Sequence, residues 1–374
     1  MIKKMLILGS QRKKSQEIID FFKRHNQKYK ISALLCNDEK QFDLFKKQIQ
    51  ELQPSVIFFP NKDLAEKLEL EFNIKCYHDY SQYTSFLKIT DCDLIISDFT
   101  GIDSVKLILA SIGEYKDIGL LNLEPILYSG KIIINEAKNK GIELNYITPQ
   151  FQSMSLFSNT KKLNEIDKII LIDYDTKEDK ENLTNYTNPS KTLSEFKKIF
   201  YFKNKMWLSR HLIVMSNLYN LELDNFDFYK SNTEKINLIL QLKNGCTVFN
   251  YTDNNKESIY NLYYLDNSQI KENNKLEDNI NINIKKINFE EIATLKLAYL
   301  SIKKGGSYPI LFQMVYDVCA EELYKNNLPK DSFVKIFSKI LEDKTFYSKN
   351  PNIQTIFALD EKIRERIKKE IKKK

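Results

Sequence analysis

Short apolar runs alternate with amphipathic stretches along the first 150 residues of the chain. Between the first two runs, the pairs Ile18-Ile19 and Phe21-Phe22 fall at helical spacing, which predicts an amphipathic helix. Strands joined by helices of this length have to lie parallel in one sheet, with helices on both faces. We therefore predict a doubly wound, Rossmann-like α/β domain over residues 1–150, with a ligand site beyond the carboxyl ends of its strands. The runs predicted as strands are Met5–Leu8, Ile31–Cys36, Val56–Phe59, Leu94–Ile96, Ile118–Leu121 and Leu144–Ile147.

The pattern changes to a mixture of helix and strand between residues 151 and 286. The clearest predicted strands are Lys168–Ile172 and Lys235–Leu242. The alternation of Asn and Ile over Asn279–Ile284 suits a strand with one polar face. Over residues 287–374, apolar residues recur at helical spacing. We predict a central α+β domain followed by a C-terminal helical bundle.

Composition and charge are those of a soluble globular protein. Hydrophobic residues make up 42% of the 374 residues, and 57 basic side chains against 50 acidic ones leave a net charge of only +7. These values exclude an intrinsically disordered chain and argue against a nucleic-acid-binding protein. No uncharged apolar stretch is long enough to span a bilayer, and the N-terminus lacks the pattern of a cleaved signal peptide. We therefore expect a cytoplasmic protein without a membrane span.

Glycine, cysteine and histidine usage excludes several kinds of site. The chain has nine glycines, whereas an average usage of about 7% would give roughly 26. Gly305-Gly306 is the only adjacent pair, so glycine-rich phosphate loops are excluded. The five scattered cysteines form no C-x-x-C pair, and we expect buried thiols rather than disulfides or zinc ligands. No two of the three histidines lie at metal-ligand spacing.

Three segments of the chain carry a family resemblance: Lys4–Ser10, Lys116–Glu124 and Leu295–Pro309. They resemble the 1-deoxy-D-xylulose 5-phosphate reductoisomerase family, and the resemblance runs nearly end to end. It implies an NADPH-binding N-terminal domain, a central catalytic domain, a C-terminal helical bundle and a homodimer. It also implies an oxidoreductase of isoprenoid precursor biosynthesis, which uses NADPH and Mg²⁺ or Mn²⁺ to convert 1-deoxy-D-xylulose 5-phosphate to 2-C-methyl-D-erythritol 4-phosphate.

The loop after the first predicted strand reads GSQRKKS from Gly9 to Ser15, where the family has a G-S-T-G-S-I-G turn. Gly9 and Ser10 are retained, but side chains at the later glycine positions obstruct the approach of the backbone to a pyrophosphate. Arg12, Lys13 and Lys14 supply cations near a predicted helix N-terminus, a place that favours anions. Two interpretations stay open: a solvated basic loop, and a cofactor-binding site that includes Gly9, Ser10 and Arg12.

The family's A-N-K-E segment corresponds to Leu121-Asn122-Leu123-Glu124. Asn122 and Glu124 are retained and are candidate cofactor-binding residues, with capping or pairing of the local backbone as the structural alternative. Leu123 replaces the lysine that faces the cofactor in the family. A charge-assisted hydrogen bond to an anionic ligand is therefore lost.

The metal and phosphate positions implied by the resemblance are also changed. Gln150 and Gln152 stand where the family has two carboxylates, so Asp224 is the one acidic metal ligand that is retained. Two amides and one carboxylate suit Mg²⁺ or Mn²⁺ poorly, because hard cations prefer anionic oxygen ligands. In the implied phosphate pocket, Asn220 is retained while its neighbouring Ser and Lys are replaced by Met215 and Leu221. No catalytic set is intact, and the resemblance leaves the cofactors of this chain unknown.

Three further features have structural interpretations that we prefer to functional ones. Trp207, the only tryptophan, lies near the position of the family's flexible lid but suits a packing role. His211 suits a hydrogen-bonded interior or surface position better than a catalytic base. The basic C-terminus over residues 362–374 is interleaved with acidic residues, which fits a solvated helix end better than a lipid anchor.

The apolar residues of the chain follow the family pattern, whereas most of the polar residues at the family's cofactor, metal and phosphate positions are replaced. We favour a degenerate family member, a pseudoenzyme that is impaired or inactive in the parent reaction, acts as a binding or scaffold protein and forms a homodimer. The alternative is an active, divergent reductoisomerase, so catalysis is left undecided. A third interpretation is a changed enzyme whose interdomain cleft takes a less anionic small molecule or a protein ligand. In that case the retained Asn122, Glu124, Asn220 and Asp224 line the cleft.

Overall fold

The computed structural model describes residues 2–114, 116–148, 151, 154, 163–174, 193, 196–197, 200–201, 204–233, 235–251, 282–329 and 331–372. Backbone contacts divide the chain into two compact units. The first contains the described residues of Met1–Pro125 and Ile133–Phe151, and the second contains those of Ile126–Ile132, Gln152–Asn254 and Lys271–Lys374. The predicted domain boundaries after residues 150 and 286 stay predictions.

A seven-stranded parallel sheet forms the centre of the first unit. Its strands are β1 (Lys3–Leu8), β2 (Tyr29–Leu35), β3 (Val56–Phe58), β4 (Lys75–Tyr77), β5 (Leu94–Ser97), β6 (Asp117–Leu120) and β7 (Leu144–Tyr146). The order across the sheet is β4-β3-β2-β1-β5-β6-β7, so β1 pairs with β2 on one side and with β5 on the other. The doubly wound prediction is confirmed, and each of the six apolar runs coincides with a strand.

Helices follow these strands and bury their apolar sides. They are α1 (Lys13–Arg24), α2 (Phe42–Leu52), α3 (Lys62–Phe72), α4 (Tyr83–Ile89), α5 (Asp103–Gly113), α6 (Glu124–Ser129) and α7 (Ile132–Asn139). In α1, the predicted apolar side is confirmed, because Ile18, Ile19, Phe21 and Phe22 are all buried. Burial of each such side chain stabilises the fold by about 1.5–3 kcal/mol.

Strand β4 forms one edge of this sheet and is not predicted by the hydrophobic pattern. Cys76 is its one buried residue, so no apolar run marks it. Glu69 on α3 accepts a hydrogen bond from the backbone N–H of Cys76 at 2.8 Å and pairs with Lys75 at 3.1 Å. The side chain of a neighbouring helix thus fixes the position of this short strand.

The second unit contains a five-stranded mixed sheet. Its strands are β8 (Ile166–Tyr174), β9 (Phe226–Ser231), β10 (Ile236–Leu242), β11 (Thr247–Tyr251) and β12 (Ile284–Lys286). The order is β11-β10-β8-β9-β12, in which β8 and β9 are parallel and the other neighbours are antiparallel. This arrangement confirms the α+β prediction. Of the predicted polar-faced strand, positions 279–281 lie outside the described residues, and β12 begins at Ile284.

The second unit also contains helices among its described residues, and those that follow β12 confirm the predicted C-terminal helical region. They are α8 (Met206–Tyr219), α9 (Ala293–Lys304), α10 (Tyr308–Tyr324), α11 (Ser332–Glu342) and α12 (Ile353–Lys372). Phe312 on α10 packs edge-on against Phe333 and Phe337 of α11, with centroids 5.3 Å apart in both pairs. Gly306, with φ of +58°, lies in the turn between α9 and α10, where the Ser307 N–H donates to the Ser348 carbonyl at 2.9 Å.

The expectation of buried thiols is wrong for one cysteine. Cys36, Cys76, Cys92 and Cys319 are buried, but Cys246 is exposed. Cys246 lies in the polar turn that joins β10 to β11, and turn residues of a hairpin face the solvent. Among the described residues, no helix has the length and apolar character needed to cross a bilayer.

Candidate functional site

The candidate site lies at the carboxyl edge of the parallel sheet, beyond β1, β5 and β6. At this point β1 pairs with β2 on one side and β5 on the other, and the chain connections turn to opposite faces. Such a switch point leaves a crevice in which doubly wound domains bind ligands. The loops around it carry five of the sequence-predicted residues: Gly9, Ser10, Arg12, Asn122 and Glu124.

Gly9 and Ser10 form the turn that leaves β1. Gly9 has φ of +80°, a conformation that a side chain would strain. The backbone N–H groups of Gly9 and Ser10 both donate to the Leu35 carbonyl at the end of β2, each at 2.9 Å. The buried Ser10 hydroxyl donates to Gln48 Oε1 at 2.8 Å, and Gln48 Nε2 donates to the Ser10 carbonyl at 2.9 Å. The Ser10 side chain therefore holds the turn against α2.

Arg12 occupies the N-cap position of α1, and its side chain reaches across to the loop after β5. Its Nη1 donates to Thr100 Oγ1 at 2.9 Å, and its Nε lies 3.9 Å from Asp98 Oδ2. A Cβ atom added to Gly9 would lie 3.3 Å from Arg12 Cδ. The side chain that replaces a family glycine thus packs over the turn and is tied to the next loop.

Asp98 directly follows β5 and is only 5% exposed. Burial raises the pKa of its carboxyl group, while the nearby charges of Lys14 and Arg12 act to lower it. Asn122 Nδ2 donates to Asp98 Oδ1 at 3.3 Å, and the Glu124 carboxylate adds a repulsion that raises the Asp98 pKa. Asp98 is therefore the buried acidic centre of the site.

Asn122 and Glu124 connect the loop after β6 to the loop after β5. Asn122 Nδ2 also donates to the Phe99 carbonyl at 3.0 Å, and Asn122 Oδ1 accepts from the Glu124 N–H at 3.0 Å. Glu124 Oε2 accepts from the Gly101 N–H at 2.7 Å. The retained pair therefore performs the capping and pairing described as its structural alternative, and its role in cofactor binding stays a prediction.

Lys14, in the first turn of α1, brings a second cation to the end of β6. Its Nζ donates to the Leu121 carbonyl at 2.8 Å. Leu123, which replaces the family lysine, is 7% exposed and packs in the core. The positive charge at the end of β6 is thus supplied from α1 rather than from the loop after β6.

Sequence reasoning missed Asp98 and Thr100 as parts of this site. The available signal was the polar residue Asp98 immediately after the apolar run of β5, since such a position lies at the carboxyl edge of the sheet. The sequence predicted Lys14 as a cation near this helix N-terminus, but not its contact with Leu121. That partner lies 107 residues away and is brought close only by the order of the strands.

The predicted metal positions are not assembled within the described residues. Gln150 and Gln152 lie outside those residues. Asp224 lies in a 3₁₀ turn before β9, and its backbone carbonyl accepts a hydrogen bond from Lys168 Nζ. Among the residues that the structure describes, no three His, Cys, Asp or Glu side chains form a group suited to a metal ion. The role of Asp224 as a metal ligand stays a prediction.

Asn220 ends α8 in a left-handed backbone conformation with φ of +52°. Its Oδ1 accepts a hydrogen bond from Lys131 Nζ at 2.7 Å. Asn is one of the few residues that tolerate this conformation, which gives the position a structural reason to be Asn. A role in phosphate binding stays a prediction.

Trp207 is 5% exposed and belongs to a buried polar cluster around Asp173 at the end of β8. Its Nε1 donates to Asp173 Oδ1 at 3.3 Å, and Lys205 Nζ lies 3.3 Å from Asp173 Oδ2. His211 is also buried, and its Nδ1 lies 2.6 Å from the Trp207 carbonyl oxygen. These contacts agree with the packing interpretation of both residues.

Replacing Asp98 by asparagine tests its raised pKa. A raised pKa means that the folded state binds the proton more tightly than the unfolded state, so the stabilising contribution is present at low pH and is lost as pH rises. We expect Asp98→Asn to gain stability relative to the wild type as the pH rises above about 4, the ordinary pKa of an aspartate. Thermal unfolding midpoints of both proteins, measured as a function of pH, would give this change in relative stability.

Asp91→Asn is the matched control. The Asp91 carboxylate is exposed and bonded to Lys4, which lowers its pKa, so its contribution to stability is lost as pH falls. We expect the stability of Asp91→Asn relative to the wild type to change with pH in the opposite direction, so that its slope has the opposite sign. Equal slopes for the two variants would contradict the assignment of Asp98 as a carboxyl group disfavoured by burial.

Comparison with known sequences gives a consistent set of relatives. The sequence pattern of the family described as 1-deoxy-D-xylulose 5-phosphate reductoisomerase matches residues 5–130. The 1-deoxy-D-xylulose 5-phosphate reductoisomerase 1 of Bacillus cereus is 27% identical over 173 residues, which cover 46% of this chain and 44% of that protein. The reductoisomerase of a Thermoanaerobacter species is 24% identical over 98% of this chain and 99% of its own.

Comparison with solved structures extends the similarity to the whole fold. The reductoisomerase of Zymomonas mobilis, solved with NADPH, superposes with a TM-score of 0.83 at 15% identity and covers 99% of both chains. A DOX-P reductoisomerase solved with magnesium gives a TM-score of 0.83 at 17% identity, over 100% of this chain and 99% of that one. At these identities the likeness concerns the fold.

Proposed function

This chain belongs to the 1-deoxy-D-xylulose 5-phosphate reductoisomerase family, and from that premise we propose that it binds a ligand or partner without catalysing the family's NADPH- and metal-dependent reaction. The main support for this proposal is the network around Asp98, in which the polar residues of the crevice form hydrogen bonds and an ion pair with one another. We further propose that the protein is a cytoplasmic homodimer, as the family resemblance implies. Sedimentation of the purified chain would test the dimer.

The Asp98 network supports this proposal because it uses the groups that an anionic cofactor would need. Arg12 is engaged by Thr100 and Asp98, and a carboxylate of Glu124 accepts from the backbone of Gly101. Two carboxylates at the switch point oppose the negative charge of a dinucleotide pyrophosphate. The crevice is therefore better suited to a ligand with less negative charge.

The metal required by the parent reaction does not fit the donor set. Amide oxygens at Gln150 and Gln152 carry no charge, which leaves Asp224 as the one anionic donor. A divalent hard cation loses strongly bound water on binding and needs carboxylates to offset that cost. The chain therefore lacks the ligand set on which the metal chemistry of the parent reaction depends.

The buried Asp173 also opposes the parent substrate. By the family resemblance, the segment beginning at Ile172 corresponds to a phosphate-binding loop, yet here it carries a carboxylate that is 3% exposed. Lys205 and Trp207 both bond to that carboxylate. A substrate phosphate would meet like charge where the family offers hydroxyl and backbone donors.

One observation favours the second candidate, an active and divergent reductoisomerase. Lys14 Nζ lies at the Leu121 carbonyl, two residues from the position where the family carries its cofactor-facing lysine. A cation supplied by another element can serve the same anionic ligand. This observation keeps the enzymatic alternative open to experiment.

The test is an assay of the purified chain with NADPH, 1-deoxy-D-xylulose 5-phosphate and Mn²⁺. We expect turnover below about 0.01 s⁻¹, against a typical enzyme value of about 10 s⁻¹. As a positive control for the metal argument, Gln150→Asp combined with Gln152→Glu should tighten Mn²⁺ binding at least about tenfold in calorimetry, since it restores two anionic ligands. Turnover by the wild type, or micromolar NADPH binding, would establish the second candidate instead.

A further inference from the structure

A cavity of about 720 Å³ lies in the second unit, where β8 and β9 begin. Its walls are formed by the start of these two strands, the 3₁₀ turn Leu223–Asn225, the segment that follows β12, and Tyr299 on α9. All of these residues belong to the same compact unit. The volume lies within the range of about 300–1,000 Å³ that is typical of small-molecule sites, so the cavity can hold a small ligand.

This cavity shares no residue with the Asp98 network or with the buried cluster around Asp173. The Asp98 network belongs to the first unit. Asn225 Nδ2 donates to the Asp167 carbonyl at 3.1 Å, which places the 3₁₀ turn at the start of β8, whereas Asp173 lies near the end of that strand. A strand rises about 3.3 Å per residue, so Asp167 and Asp173 are about 20 Å apart. The cavity therefore lies away from the segment that the family resemblance relates to phosphate binding, and Asp224, in the 3₁₀ turn, can have a different partner.

Aromatic rings form one wall of the cavity. Phe226 and Phe228 are two residues apart on β9 and therefore point to the same face of the sheet. The Phe228 ring lies 6.2 Å from that of Phe289, which stacks on Tyr299 with 4.7 Å between the ring centroids. Phe226 and Phe228 are buried, whereas Phe289 and Tyr299 are partly exposed beside the cavity. The wall thus offers an apolar surface on which a further ring can pack edge-on or offset.

Four charged side chains line the cavity, and two of them neutralise each other. Lys286 Nζ lies 2.8 Å from Asp227 Oδ1. Lys168 Nζ donates to the backbone carbonyl of Asp224, which is a neutral acceptor. Within the described part of the chain, no acidic side chain pairs with the Lys168 ammonium group, and no basic side chain pairs with the Asp224 carboxylate. The cavity therefore offers one positive and one negative charge at the same turn.

We propose that this cavity binds a zwitterionic α-amino acid with an aromatic side chain. The ligand carboxylate pairs with Lys168, the ligand ammonium group pairs with Asp224, and the ring packs against the aromatic wall. A ligand with a carboxylate alone meets Asp224 as a like charge, and a ligand with an ammonium group alone meets Lys168 in the same way. This site goes beyond the proposed function, because it depends neither on the crevice of the first unit nor on whether the parent reaction proceeds.

The test compares four probes by calorimetry on the full chain. L-phenylalanine carries the ring and both charges, 3-phenylpropionate lacks the ammonium group, 2-phenylethylamine lacks the carboxylate, and L-alanine lacks the ring. We expect L-phenylalanine to bind at least about tenfold more tightly than either single-charge probe, because each of these leaves one charged side chain of the cavity without its hydrogen bond. L-alanine should also bind at least about tenfold more weakly, since it buries no ring. No heat with L-phenylalanine at millimolar concentration, or equal affinity for either single-charge probe, would overturn the proposal.

Two variants test the two charges separately. Lys168→Met should bind L-phenylalanine about tenfold more weakly and lose its preference over 2-phenylethylamine, because the ligand carboxylate has lost its partner. Asp224→Asn should also bind L-phenylalanine about tenfold more weakly, but should lose the preference over 3-phenylpropionate instead. Asp224 is exposed and Lys168 is partly exposed, so we expect both variants to fold like the wild type.

Lys303→Met and Glu342→Gln are the matched controls for these variants. Both residues are exposed, belong to the second unit and lie outside the cavity, so all four affinities should stay unchanged. If Lys168→Met and Asp224→Asn keep the preferences of the wild type, the assignment of the two charges is wrong. Turnover of NADPH by the same preparation would refute the proposed function but not this site, so the two failures are distinguishable.

Discussion

Replacing Gly306 by alanine is expected to lower the free energy of unfolding by about 2–5 kcal/mol, the sum of a left-handed backbone cost and an overpacking cost. Gly306 has φ of +58°, and an added Cβ atom would lie 2.4 Å from the Ser348 carbonyl oxygen and 2.7 Å from Tyr347 Cε2. The backbone of Ser348 cannot move away easily, because it bonds to Ser307 through both its carbonyl and its N–H, each at 2.9 Å. Urea unfolding would measure the loss.

Gly141 provides the matched control for this prediction. It also has a positive φ, of +66°, but an added Cβ atom would meet nothing within 4 Å. Gly141→Ala should therefore cost only the left-handed backbone strain, about 1–2 kcal/mol. If the two variants lost equal stability, the close approach of Ser348 to Gly306 would be wrong.

Replacing Lys205 by methionine is expected to lower the free energy of unfolding by about 3 kcal/mol. Asp173 is buried, and Lys205 Nζ lies 3.3 Å from its Oδ2. Methionine removes the cation and leaves the Asp173 carboxylate in a low-dielectric environment. A buried charge without its opposite partner lowers the stability of the folded state. Chemical denaturation at pH 7 would measure the loss.

Two controls separate this charge effect from packing. Asp173→Asn combined with Lys205→Met removes both charges and should recover most of the stability. Lys62→Met breaks an exposed pair, in which Lys62 Nζ lies 3.9 Å from Glu66, and should cost less than about 0.5 kcal/mol. A double variant as unstable as Lys205→Met would show that the side chain of Lys205, rather than its charge, stabilises this region.

The parallel sheet could be predicted from the sequence because its central strands are buried on both faces. Leu6, Ile57 and Ile95 lie in runs of consecutive apolar residues, which is the pattern that a doubly covered parallel strand requires. Strand β4 could not be predicted in the same way. It lies at an edge, buries only Cys76 and is fixed by Glu69, a contact that no local pattern encodes.

The candidate site could be predicted only in part, for a similar reason. Gly9 and Asn122 were found because their backbone and hydrogen-bonding roles leave a short motif. Arg12 was found, but not its engagement with Asp98 and Thr100, which lie 86 and 88 positions further along the chain. The order of the strands decides which charged side chains come into contact. The local sequence around Arg12 therefore does not indicate its partners.

The contact between Glu69 and the outer strand of the parallel sheet has a consequence for association. An outer strand exposes backbone N–H and carbonyl groups that can pair with another polypeptide, which is a common route to aggregation. Here the Cys76 N–H is already occupied by the Glu69 carboxylate, and the charges of Glu69 and Lys75 border the strand. A second chain that approached β4 would have to displace an ion pair before it could form its first hydrogen bond, so growth of the sheet beyond β4 is disfavoured.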